Sequence, residues 1–277
     1  MRSTGIFINI FLLLLIPYFS FAGLPVDTVI SFTPGTGQSA GQADEYFPEN
    51  IFGLPSRSST ENTPETSPGE ICSIGLGGEI ILSIRDNIII DGPGPDFTIF
   101  ENSFKNPING KIYAEPAKIA VSPDGSEWYE FPFDSLTLEG CAGTKPTYGS
   151  ADPYDPLVSG GNSFDLADIG VGEIKYIKIT DISSMILDNP QHPYYDFTIS
   201  GFDLDAVLAI NTQQAVSVRD PGEIATINTK LDIYSLDGRA IAKAVDKSDL
   251  YNSLEALTKG IYILVDKNGR AEKWLAE

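Results

Sequence analysis

Acidic side chains dominate the residues able to do chemistry. Three groups stand out: Asp91, Asp96 and Glu101 within DGPGPDFTIFENSF (91–104), Asp152 and Asp155 in ADPYDP, and Asp203 and Asp205 in GFDLDAV. Strand side chains alternate, so Asp203 and Asp205 share one face, roughly 6.5–7 Å apart by the strand rise, and Phe202, Leu204 and Ala206 take the other. Two such carboxylates repel each other, and a divalent cation removes the conflict. Calcium suits the set, since it takes about six to eight oxygens from carboxylates, carbonyls and water with loose geometry. The Gly-Pro steps beside Asp91 and Asp96 leave carbonyls outside any ladder. The expected calcium site is therefore Asp91, Asp96, Glu101, Asp203 and Asp205. It is not an EF-hand, because Pro95 and Asp96 stand where that loop needs an acidic or amide ligand and then a glycine.

The same acids raise a competing chemistry. A secreted glycoside hydrolase needs two carboxylates about 5–10 Å apart, one with a raised pKa. Asp203 and Asp205 meet the spacing, but both sit on one strand and flank nothing unless a cleft rises above them. The sequence has no nucleophile elbow and no phosphate-cradling loop. One histidine, His192, and two cysteines leave no zinc set and no triad with a spare base. His192 reads as an exposed loop residue, and the protein as a non-enzyme. Ligand contact falls instead to the loop tyrosines Tyr148, Tyr154, Tyr194 and Tyr195, whose rings suit sugars. Trp128 is expected in the core. Capture of a nutrient for an outer-membrane transporter fits the same features.

Stepwise punctuation by Gly, Pro, Asn and Asp predicts the elements that carry these residues. Strands are expected over 79–84, 87–90, 97–100, 117–122, 128–131, 175–180 and 202–210, an all-β pattern. Ser56 to Gly69, rich in Ser, Thr, Pro and Glu, reads as a surface loop. Residues 211–222 turn polar and read as a linker. Further strands follow at 224–227, 231–235, 240–245, 261–265 and 271–275, with Asp237-Gly238 and Asn268-Gly269 closing tight hairpins. These make a second, smaller β-sandwich, 223–277.

Arg2, the apolar run Ile6 to Ile16 and the small residues Ser20 and Ala22 predict a secretory signal, 1–22, cleaved after Ala22. The run is too short to span a bilayer. With 38 acidic and 18 basic residues, a formal net charge of -20, the chain repels nucleic acid and anionic membrane surfaces. In an exported chain Cys72 and Cys141, the only cysteines, are expected to pair.

Two resemblances refine this reading. LDIYSLDGRAI (231–241) and LEALTKGIYILVDKNGRAEKWL (254–275) resemble the type IX secretion (Por) sorting domain, through Tyr234, Leu236, Gly238, Arg239, Leu257, Gly260, Ile261, Tyr262 and Lys273. That likeness implies the type IX machinery as a partner and export across both membranes. The larger part, expected as one domain over 23–210, resembles galactose-binding-like jelly rolls, with the match spanning roughly 75–210. VSPDGSEWYEF (121–131) matches their strand–turn–strand and IKYIKIT (174–180) their penultimate strand. Together with DGPGPDFTIFENSF, SGGNSFDLADIG and GFDLDAVLAI, these stretches are similar to bacterial cell-surface proteins. The resemblance implies a jelly-roll β-sandwich, a structural calcium between an early loop and the last strand, and a possible carbohydrate ligand.

Overall fold

The computed structural model describes residues 23–215, 230–235, 238–245, 260–266 and 271–276. The expected signal segment, the 224–227 strand, Leu257 and the 267–269 turn lie outside them. The chain divides into two compact units, Met1–Gln213 and Gln214–Glu277.

The first unit is a β-sandwich. One sheet runs Leu24–Pro25, Asp203–Ala209, Phe97–Glu101, Asn162–Phe164, with Cys72–Ser73 also paired to Asp203–Ala209. The other runs Tyr129–Glu130, Ala117–Ser122, Tyr176–Asp181, Glu79–Ser83, Thr28–Thr33, and the pairings in both sheets are antiparallel. Alternation explains why they stack. Ile80 and Leu82, Ile119 and Val121, and Ile177 and Ile179 face Phe97, Ile99, Phe164, Leu204 and Val207 in one apolar cluster. All seven strands expected in this unit form, each within two residues of the expected ends.

The turn VSPDGSEW is built by its own side chains. Asp124 Oδ1 accepts N–H bonds from Ser126 (2.8 Å) and Glu127 (3.1 Å), and Ser122 Oγ accepts from Gly125 (2.8 Å). The strand it starts brings Phe131 into the core. Trp128 departs from expectation. It is only half-buried, outside the cluster, with the Lys178 ammonium 4.0 Å from its ring centroid. Its own strand begins one residue later, at Tyr129.

The segment expected as linker starts inside the first unit's architecture. Thr212–Gln214 is a strand beside Asn87–Ile90, and the Thr212 side chain is buried. In the second unit, Leu231–Ser235, Ala240–Val245, Gly260–Asp266 and Ala271–Ala276 form one antiparallel sheet. Among the described residues of this unit these four strands make one sheet, and Leu231, Ile233, Tyr262 and Leu264 are buried. No helix among the described residues is long and apolar enough to cross a membrane.

Candidate carboxylate sites

The five expected calcium ligands do not converge. Asp96 and Glu101 bracket the Phe97–Glu101 strand, about 16 Å apart by the strand rise, whereas a calcium–oxygen bond is about 2.3–2.6 Å. Asp203 joins the Glu101 end, through its N–H to Glu101 Oε1 at 3.4 Å. Asp205 goes elsewhere. Leu204 opposes Glu101 and Ala206 opposes Phe100, so Asp205 is the extra residue of a β-bulge. The bulge resets alternation: Phe202 and Leu204 face the core, then Val207 and Ala209 do, while Ala206 joins Phe100 and Leu208 on the reverse face. The expected grouping of Ala206 with Leu204 fails for that reason.

Asp96 is a fully enclosed anchor. Its Oδ1 accepts from Gly92 N–H and Asn211 Nδ2, both at 2.8 Å, and its Oδ2 from Leu166 N–H at 2.8 Å. Burial pushes its carboxyl up, and the same donors pull it back. One side chain thus ties the Gly-Pro turn, the 165–169 turn and the end of the last strand together. Asp91, exposed, and Asp165 place oxygens within 4.8 Å of those of Asp96. That trio is the tightest carboxylate group among the described residues, yet both oxygens of Asp96 already have donors.

Glu101, Glu115 and Asp203 form a second group of different character. Burial raises all three carboxyls. Glu115 and Asp203 raise Glu101 further, and Asp203 helps lift Glu115 to about 7. Glu115 Oε1 accepts from Gly201 N–H at 2.9 Å and from Ser200. Gly201 has φ +116°, and an added Cβ would lie 2.5 Å from the Gly75 carbonyl carbon, so only glycine brings the chain this close. The ion pairs found among the described residues, Lys105–Glu61 and Lys118–Glu130, involve none of these acids.

Asp181 and Asp205 are anchors like Asp96. Asp181 accepts from Gly77 N–H (2.8 Å), Phe202 N–H (2.9 Å) and Ser183 Oγ (2.7 Å). Asp205 takes Ser56 N–H on both oxygens, at 2.9 and 3.1 Å, and burial lifts its carboxyl to about 7. Neither Glu115 nor Asp181 stood out in the sequence. Asp181 had a signal: it continues the inward series Ile177, Ile179. Glu115 had none, since its partners come from residues 200–201 and 203.

The loop after Ser56 is organised by Glu65. Burial opposes its ionisation, but the hydroxyls of Ser58 and Ser56 and the N–H groups of Ser67 and Thr66 hold it down at about 2. A depressed carboxyl contributes stability above its unfolded pKa, about 4.3, and loses it as pH falls towards 2. Glu65→Gln should therefore lose less stability than the parent between pH 4.5 and 2.5 in urea unfolding. Parallel losses in the two proteins would refute this role.

The remaining expected residues separate by exposure. Tyr148 and Tyr195 are 38 % and 40 % exposed, whereas Tyr154 packs on Phe100 and Leu208, and Tyr194 on the Leu138–Ile186 cluster. Asp152 and Asp155 cap their own turns, accepting from Tyr154 N–H (3.1 Å) and Leu157 N–H (2.9 Å). His192 is not an exposed loop residue but a buried clip. Its Nε2 lies 2.8 Å from the Ser135 carbonyl and its Nδ1 accepts from Tyr194 N–H, which assigns the neutral Nε2–H tautomer. Cys72 and Cys141 are free thiols, so the expected bridge is not formed. They lie in separate apolar clusters, and burial lifts each thiol to about 12, which makes both poor nucleophiles.

Fold and site together define an all-β sandwich whose loops are pinned by internal carboxylates. No protein-family model matches the chain, and a search of curated proteins finds no match either.

Proposed function

We propose that this is an exported, non-catalytic protein of the cell surface or the external medium. Its sandwich would be a galactose-binding-like jelly roll, stabilised by calcium, that presents loops to a ligand. Its C-terminal unit would direct type IX secretion. One observation carries the reading. Asp96, Asp181 and Asp205 accept backbone N–H bonds from partners 70, 104 and 149 residues away in sequence, respectively. They spend their acceptor capacity on fixing loops, which suits passive presentation and not proton transfer. The ligand face then falls to the exposed rings Tyr148 and Tyr195, with carbohydrate as the ligand class.

The rival hydrolase reading draws on Glu115, whose carboxyl is raised to about 7 beside two other acids. Glu101, Glu115 and Asp203 are nevertheless all buried, so a sugar would not reach them. Their position favours binding over catalysis.

The test uses the full chain in a type IX-competent host and, purified, on a glycan array. Expected are surface display, retention in the periplasm once residues 215–277 are removed, and glycan capture weakened about tenfold or more by Tyr148→Ala with Tyr195→Ala. The cut follows Gln214 because Thr212–Gln214 belongs to a sheet. Display of the truncated protein would overturn the sorting role. Glycan cleavage lost in Glu115→Gln would overturn the non-catalytic reading.

A further inference from the structure

Seven buried side-chain oxygens among the described residues have no hydrogen-bond partner: Asn50 Oδ1, Thr212 Oγ1, and five that belong to Ser73, Glu101, Asn102, Ser103 and Asp203. The five come from neighbouring positions. Asn102 and Ser103 directly follow Glu101, Asp203 donates its N–H to Glu101, and Ser73 is the cross-strand partner of Asp203. Glu101 and Asp203 are only 2 % and 4 % exposed, and the unpartnered atoms are Glu101 Oε2 and Asp203 Oδ1. Glu115 adds a third carboxylate, whose hydrogen bonds among the described residues all fall on Oε1. An unpaired buried acceptor is costly, and mutually repelling ones more so. The side chains of Ser73 and Asn102 lie close enough to Asp203 to lower its carboxyl, but Glu101 Oε2 and Asp203 Oδ1 keep no donor, and a cation would supply the missing positive charge.

We propose that Glu101, Glu115 and Asp203, with the side-chain oxygens of Asn102 and Ser103, bind one calcium ion that joins the Phe97–Glu101 strand, the 114–116 segment and the start of the last strand. The inference rests on the calcium-stabilised sandwich proposed above and moves its ion. Asp91, Asp96 and Asp205 are not ligands. The donor set is all oxygen, which selects a hard cation. Five protein oxygens in a nearly dry site suit calcium, whereas magnesium keeps several waters in a strict octahedron. Cys72 feels the Asp203 charge, but burial keeps it a thiol, so it offers no soft ligand. The other ionisable groups facing the cluster are Asp181, which acts on Asp203, and Tyr113, which feels Glu115 and Asp203. Neither supplies positive charge.

The experiment compares the chelator-stripped full chain with its calcium-loaded form by thermal melting and calorimetry. Expected are one calcium per chain, a melting temperature that rises with calcium concentration, and a much smaller response to magnesium. Glu101→Gln and Asp203→Asn should abolish the response, and Asp91→Asn should keep it. With repulsion relieved, both neutral variants should melt no lower than the stripped parent. If either variant fails to fold, terbium emission excited through tyrosine in the parent, displaced by calcium and diminished in Tyr113→Phe, gives the same answer. Emission unchanged in Tyr113→Phe would place the ion elsewhere and overturn this site. No response in the parent overturns both this site and calcium stabilisation. A response lost in Asp91→Asn but kept in Glu101→Gln overturns this site alone.

Discussion

Replacing Asp96 by alanine is expected to destabilise the sandwich by about 3–5 kcal/mol, since each buried donor left unpaired costs about 1–3 kcal/mol. Three donors lose their acceptor at once: the N–H groups of Gly92 and Leu166 and the Asn211 amide. Water can reach the Gly92 and Asn211 groups, which are part-buried, and Asn211 keeps the Pro95 carbonyl at 3.4 Å, so the total stays below the full sum. The loss should appear as a lower urea midpoint with an unchanged slope, because the exposed surface of unfolding is the same. Asp96→Asn should fall between, since it keeps one acceptor and turns a new donor against an existing one. A loss below about 1 kcal/mol in Asp96→Ala would show that the three segments hold their places without the anchor.

Phe97→Ala is expected to cost a similar amount, about 3–5 kcal/mol, for a different reason. The Phe97 ring is fully buried, stacked on Phe164 at 5.3 Å between centroids and edge-on to Phe131 at 6.0 Å. Its removal leaves a cavity where the two sheets meet, and two aromatic neighbours lose a partner. Phe197, 81 % exposed, is the control, and its change to alanine should stay within about 0.5 kcal/mol. Equal losses at the two positions would contradict the placement of the core. Because Asp96 and Phe97 are adjacent, the double variant should not be additive.

The strands are legible in the sequence because their signals are local. Asp124-Gly125 closes a turn by its own hydrogen bonds, and Phe97 with Ile99 declares an inward face by simple alternation. The acids are legible only as acids. Asp91 to Glu101 looks like one cluster on paper, yet the strand between Asp96 and Glu101 separates its ends. Asp205 looks like a twin of Asp203 until the bulge removes it from the count. Glu115 becomes part of a group through residues 200–203, more than 80 positions later, and no window of sequence contains that fact. His192 is misread for the same reason, since its partner Ser135 lies 57 positions earlier. Local patterns specify elements, and long-range closure decides which polar residues they enclose.

The bulge at Asp205 makes the last strand two half-strands phased by a single residue. Before it, even positions point inward; after it, odd ones do. Pairing that residue into the ladder, with the bulge flattened, would restore plain alternation and turn Val207 and Ala209 out of the core, with Ala206 and Leu208 taking their places. Substitution at Asp205 leaves the phase intact. The inside and outside of this strand are therefore set by whether one residue stays out of the ladder, not by the chemistry of any one position.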